Sequence, residues 1–143
     1  MKRFIQPVAE RRRSGATLVE FAVVAPIFFM LLFGGIEFAV LGTIRSTAQN
    51  AAYEAARKLV IPGADVDDGI DEARRIMSIV GVDSLTVTTN PNVITDETQE
   101  ITVDISIPYD NNAIFVPYFT GGIVVRASST LKTERYGGIA STP

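Results

Sequence analysis

Arg11-Arg12-Arg13-Ser14-Gly15-Ala16-Thr17-Leu18-Val19-Glu20-Phe21 is the stretch on which the rest of the chain hangs. A basic cluster meets a small residue, one carboxylate follows, and an apolar run begins. Phe21 to Ile36 (FAVVAPIFFMLLFGGI) is a run of sixteen residues without a charge. Glu37 interrupts it, and Phe38 to Ile44 continues it as far as Arg45. A helix crosses the hydrocarbon core with about 20 apolar residues. Sixteen is short for a bare span, so Leu18 to Ile44 suffices only if Glu20 and Glu37 lie near the two faces or find partners. A charge at mid-bilayer costs at least about 2.5–3.5 kcal/mol. At 1.5 Å per residue the two carboxylates stand about 25 Å apart, close to the thickness of that core. Glu37 is therefore expected at the outer interface.

The charge distribution agrees. Residues 1–15 carry Lys2, Arg3, Arg11, Arg12 and Arg13 against Glu10 alone, a net of +4, which leaves the remaining residues at −7. Positive charge just before an apolar run holds that end on the cytoplasmic side. The acidic remainder argues against a nucleic-acid surface. The chain of 143 residues has no Cys and no His, which removes thiol nucleophiles, disulfides, imidazole ligands and Ser-His-Asp triads. No cofactor, no metal site and no catalytic residue is expected. Asp104 reads as the solvated face of a strand and Asp110 as a turn residue, so neither suggests a paired-carboxylate active site.

Working toward the C-terminus, Pro26 falls inside the apolar helix, where it removes one backbone bond and is expected to kink or loosen it. Gly34 and Gly35 thin the helix and permit close approach of another helix, or they reflect the ordinary abundance of Gly in membrane helices. From Arg45 to Ile61 the pattern turns amphipathic. Ile44, Ala48, Ala51, Ala52, Ala55 and Leu59 share one face, with Arg45, Gln49, Asn50, Glu54, Arg57 and Lys58 largely elsewhere. One long helix over about 16–60 results, closed by Pro62-Gly63. A second is expected over about 65–80 on a face of Val66, Ile70, Ala73, Met77 and Val80. Its first turns are crowded with acids that complement the helix dipole. A calcium loop does not fit, because Gly69 stands where the next ligand belongs. Strands are expected at 85–89, 101–107 and 123–132, where β-branched residues alternate with polar ones. Residues 109–122 form a loop with Phe115, Tyr118 and Phe119, expected to be a lid on a sheet edge, with an exposed partner-binding patch as the other reading.

The fold expected is α+β: a long N-terminal transmembrane helix running into an amphipathic helix, a second helix, and a small three-stranded antiparallel sheet. The segments are a leader at 1–15, a transmembrane helix at 16–44, an extracytoplasmic domain at 45–135 and a flexible tail at 136–143.

Three devices produce a basic start before an apolar run: a Sec signal peptide, a plain signal anchor, and a prepilin-type leader cut on the cytoplasmic side. Only the third uses Gly15 and Glu20 together. A small residue before the scissile bond lets the backbone lie extended in a protease cleft. Cutting there makes Ala16 the new N-terminus and Glu20 the fifth residue. A bare ammonium and a lone carboxylate, each costly in lipid, then satisfy one another between neighbouring subunits.

Gly15-Ala16-Thr17-Leu18-Val19-Glu20-Phe21-Ala22-Val23-Val24-Ala25-Pro26, followed by Phe33-Gly34-Gly35-Ile36-Glu37-Phe38, resembles the TadE-like minor pseudopilins of tight-adherence (Flp-type) pilus systems. Ala51 to Arg57 and the closing Ser128-Ser129-Thr130-Leu131-Lys132-Thr133-Glu134 are more weakly similar. The resemblance implies a structural or assembly protein of the bacterial inner membrane, cut after Gly15 by a membrane prepilin peptidase. It implies Glu20 as the carboxylate used in processing or assembly, and Glu37 as the acidic residue that often follows the apolar run. Other pilins and pseudopilins, the Tad secretion machinery and membrane lipid are the partners it implies. The remaining alternative is an unprocessed, signal-anchored extracytoplasmic binding domain.

Overall fold

The computed structural model describes residues 9–113 and 117–133, with side chains from Gly15 onward. The first eight residues of the expected leader, Phe115, Glu134 and the expected tail lie outside the described residues. The elements run α1 (Ala9–Val60), α2 (Val66–Ser78), β1 (Thr86–Asn90), β2 (Glu100–Pro108), a 3-10 turn (Tyr109–Asn111) and β3 (Val124–Lys132). The α+β expectation holds, with all three strands within a residue or so of their expected places.

The chain divides into two units, Met1–Ile36 and Glu37–Pro143, and α1 contributes to both. In the first unit the helix starts at Ala9, ahead of the expected Ala16. Ala, Glu and Arg are strong helix formers, and they fill residues 9–13. Pro26 lies within the helix, where its missing N–H leaves the Ala22 carbonyl without its usual donor. Leu18, Phe21, Phe28, Leu31 and Phe33 are all well exposed. Apolar exposure on this scale marks a surface made for lipid or another protein. From Gly15 onward α1 is long and apolar enough to cross a membrane.

The second unit is built on a meander. β2 is central, antiparallel to β1 on one side and β3 on the other. Side chains alternate faces along a strand, so Ile101, Val103, Ile105 and Ile107 all turn to one side and are buried. Register places Ile105 opposite Ala127 and Ile107 opposite Val125, extending the apolar face onto β3. The other face is polar, and there the Thr102 and Thr130 hydroxyls meet at 2.8 Å. The apolar face joins one cluster with Ile44, Ala48, Ala51, Ala52, Ala55, Ala56 and Leu59 of α1. Five alanines in that stripe keep the helix surface thin where it joins the cluster. Fully burying a side chain the size of Ile or Leu contributes about 1.5–3 kcal/mol, which makes Ile44, Leu59 and the four β2 isoleucine and valine positions the main source of stability.

Packing against this core starts earlier in the chain than Arg45. Val40 and Leu41 already touch it and Ile44 is buried within it. Gly63, at φ +86°, closes the stretch after α1 in a conformation that favours glycine.

α2 is capped reciprocally: the Asp68 carboxylate accepts the Asp65 N–H at 3.0 Å, and the Asp65 carboxylate accepts from Val66. Its buried face is Gly69, Ala73, Ile76 and Met77, rotated from the expected stripe, with Val66, Ile70 and Val80 at its margins. Gly69 explains the rotation. A Cβ there would lie 2.6 Å from Leu59 Cγ, so only glycine lets α2 lie this close to α1. Across the same helix pair, Glu72 meets Lys58 at 3.8 Å, and within α2 it meets Arg75 at 2.5 Å. The Arg75 guanidinium, and Lys58 beyond it, hold the Glu72 carboxyl below the usual carboxylate range.

Candidate functional site

Glu37 opens the second unit, and its carboxylate is the centre of a compact clamp. Oε1 accepts the Thr120 N–H at 2.7 Å and the Thr120 hydroxyl, and both oxygens accept the Phe119 N–H, at 3.1 and 3.2 Å. Two successive backbone N–H groups and a hydroxyl aimed at one carboxylate make an anion nest supplied by the chain itself. The Glu37 backbone takes part as well, since its carbonyl lies 3.4 Å from the Tyr109 hydroxyl that donates to it.

Thr120 is 0% exposed, the one buried polar side chain among the described residues. Burial of a hydroxyl is costly without a partner, and Glu37 is that partner. A second carboxylate holds the other end of the same loop: Asp110 accepts the Gly122 N–H at 2.9 and 3.1 Å. Gly122 sits at φ +78°, as the turn into β3 requires. The loop between Pro117 and Ile123 is thus tied by Glu37 from α1 and by Asp110 from the turn after β2. Asn112 fixes that turn in its own right, accepting from the Asp83 and Ser84 amides and donating to the Ser84 and Pro108 carbonyls.

With its backbone held, the loop turns two aromatic rings outward. Tyr118 is 84% exposed and Phe119 is 43% exposed, with ring centroids 5.3 Å apart in an edge arrangement. The loop is therefore no lid over the sheet at these two positions. Asp104 and Asp110 serve separate ends: Asp104 is exposed on β2, opposite Ser128, while Asp110 is occupied with Gly122.

The residues expected to act in processing and assembly lie in the first unit, apart from this clamp in sequence. Gly15, Ala16 and Glu20 are exposed on α1. The Gly15–Ala16 peptide is helical, whereas a protease cleft takes an extended chain, so the bond has to unwind before it can be cut. Gly at that position lowers the cost of unwinding by about 1 kcal/mol relative to Ala. Among the described residues, no ion pair or hydrogen bond involves the Glu20 side chain. Gly34 is buried, while a Cβ on Gly35 would meet open space.

Sequence reasoning placed Glu37 at an interface and Asp110 in a turn, but missed the bond from Gly122 to Asp110 and the parts played by Thr120, Tyr109 and Asn112. The partners of the Glu37 carboxylate are more than eighty positions away, beyond the reach of local spacing.

No curated protein and no solved structure matches the chain. A family model described as TadE-like protein does match, over residues 15–57. The matched stretch begins at Gly15 and takes in Glu20, the apolar run, Glu37 and the alanine stripe of α1. Over residues 15–57 the chain is similar to that family.

Proposed function

We propose that the protein is a minor pseudopilin, a structural and assembly component of a Tad (Flp) type pilus rather than an enzyme. It is cut after Gly15 by a prepilin peptidase and held in the bacterial inner membrane by the apolar part of α1. Its N-terminus is cytoplasmic and the Glu37–Pro143 unit extracytoplasmic. The observation that carries this reading is the family match starting at Gly15, together with the exposed apolar surface directly behind it. The residues suit the role. After cleavage, the Ala16 ammonium and the Glu20 carboxylate stand on an apolar helix with no partner in lipid. Pairing between neighbouring subunits satisfies both and sets axial register. Gly34 and Gly35 let another helix approach. Pilins, pseudopilins, the Tad secretion machinery and lipid are the partners; nucleic acid is not.

One observation favours an unprocessed signal anchor instead: the Gly15–Ala16 bond is helical. The two readings separate at Glu20. Glu20→Ala should leave membrane insertion intact and impair processing or pilus assembly. Normal piliation in that variant would remove the register role and leave a plain anchor.

A further inference from the structure

We infer that the Tyr118–Phe119 loop is a second membrane contact, an aromatic foot that rests in the headgroup layer of the bilayer crossed by α1. The inference rests on the anchoring proposed above and adds a surface to it. Glu37 is bonded to Ile36, the last residue of the uncharged run. Whatever angle the apolar segment takes, the clamp lies one residue from its end. The Glu37 carboxylate holds the Phe119 amide at 3.1 Å, and Tyr118 is the next residue, about 3.8 Å away along the chain. The headgroup layer is about 5–7 Å deep on each side of the hydrocarbon core. A loop tied to the edge of the core at that distance has to lie in or against it.

The side chains suit that layer. Tyr and other amphipathic aromatics collect where one end is wet and the other apolar. Tyr118 and Phe119 are exposed side by side, and Ile123 and Val124 continue the apolar surface into β3. The clamp also suits the role, since it ties the backbone of the loop at Phe119, Thr120 and Gly122, and a foot fixes the angle of the outer unit to the membrane only if its own backbone is held.

The chain has no Trp, so each single Trp substitution gives one fluorophore. Full-length protein is reconstituted in phosphatidylethanolamine–phosphatidylglycerol vesicles containing lipid brominated either high on the acyl chain or near its end. Three positions are compared: Phe28→Trp in the apolar run, Tyr118→Trp in the loop, and Tyr53→Trp, which is exposed further along α1 and about 24 Å from Glu37 by helical rise. Tyr118→Trp should lose most of its emission to the shallow quencher and less to the deep one, with Tyr53→Trp unaffected by either. Phe119→Trp should repeat the Tyr118→Trp result. Adding Glu37→Ala should weaken quenching at Tyr118→Trp and leave Phe28→Trp as before. An unquenched Tyr118→Trp beside a quenched Phe28→Trp overturns the inference and leaves the loop to water or to a protein partner. An unquenched Phe28→Trp overturns the anchor itself, and the foot with it. Quenching at Tyr118→Trp that ignores Glu37→Ala removes the clamp as its cause.

Discussion

Replacing Glu37 by Ala should release the 117–123 loop without unfolding the sheet. The carboxylate serves three donors: the Phe119 amide, the Thr120 amide and the Thr120 hydroxyl. Phe119 lies at the surface, so water replaces the lost acceptor there at little cost. Thr120 is fully buried, and its hydroxyl loses its acceptor outright. An unsatisfied buried donor costs about 1–3 kcal/mol. A loss near 2 kcal/mol corresponds to about thirtyfold easier opening, at tenfold per 1.4 kcal/mol. Amide hydrogen exchange on the full chain in detergent reads this directly: the Thr120 amide should exchange about thirtyfold faster, while Val103 and Ile105 in β2 keep their protection. Thr120→Val removes the hydroxyl but keeps both amides on the carboxylate, and should cost only about 1 kcal/mol. The double variant should cost less than the sum of the two, because the orphaned hydroxyl is gone. Unchanged protection at Thr120 in Glu37→Ala, or strict additivity in the double variant, would refute the clamp.

Other outcomes follow from the packing. Gly69→Ala gains about 1 kcal/mol of helix propensity but forces a methyl against the branch point of buried Leu59, an overpacking cost of about 1–3 kcal/mol. The thermal midpoint should fall, and a rise would mean that the two helices separate easily. Ile105→Ala, at the centre of the buried face, should cost about 2–5 kcal/mol in denaturant unfolding; a loss under 1 kcal/mol would place the core elsewhere. Glu72→Gln should cost about 0.5 kcal/mol near neutral pH, since its cationic partners are largely exposed. The sign of the pH effect is set by the depressed Glu72 pKa. The contribution is complete above the unfolded-state carboxylate pKa and is lost as pH falls through the folded one. Wild type and variant should therefore converge in acid, and a gap that widens there would contradict the pairing. Gly15→Phe should leave the leader attached, seen as a mass increase near that of fifteen residues; unchanged processing would mean that the cut lies elsewhere.

Local patterns made most of the fold legible. Ile101 to Ile107 alternate too cleanly with polar residues to be anything but a half-buried strand, and the alanines from 48 to 55 repeat at helical spacing beside Leu59. Asp65 and Asp68 stand at the spacing of a reciprocal cap, although the sequence showed them only as acids near a dipole. Two features escaped for physical reasons. The triple arginine reads as part of a leader ahead of the helix, yet arginine is also a good helix former, and α1 begins ahead of it. The rotation of α2 depends on the missing side chain at Gly69, which a hydrophobic stripe does not register. The clamp was least legible of all. A lone glutamate after an apolar run looks the same whether it faces water, lipid or a loop, and nothing near it in sequence names Thr120. Its position was readable and its partners were not.

The central claim is that the chain is a processed pseudopilin, and the N-terminus of the mature protein tests it most directly. Mass spectrometry of membrane-extracted protein from cells with a working prepilin peptidase should give a chain that begins at Ala16. Cells lacking the peptidase should give one that retains Gly15 and everything before it. An intact leader in the presence of the working peptidase would contradict the account and leave an anchored domain that is never released for assembly.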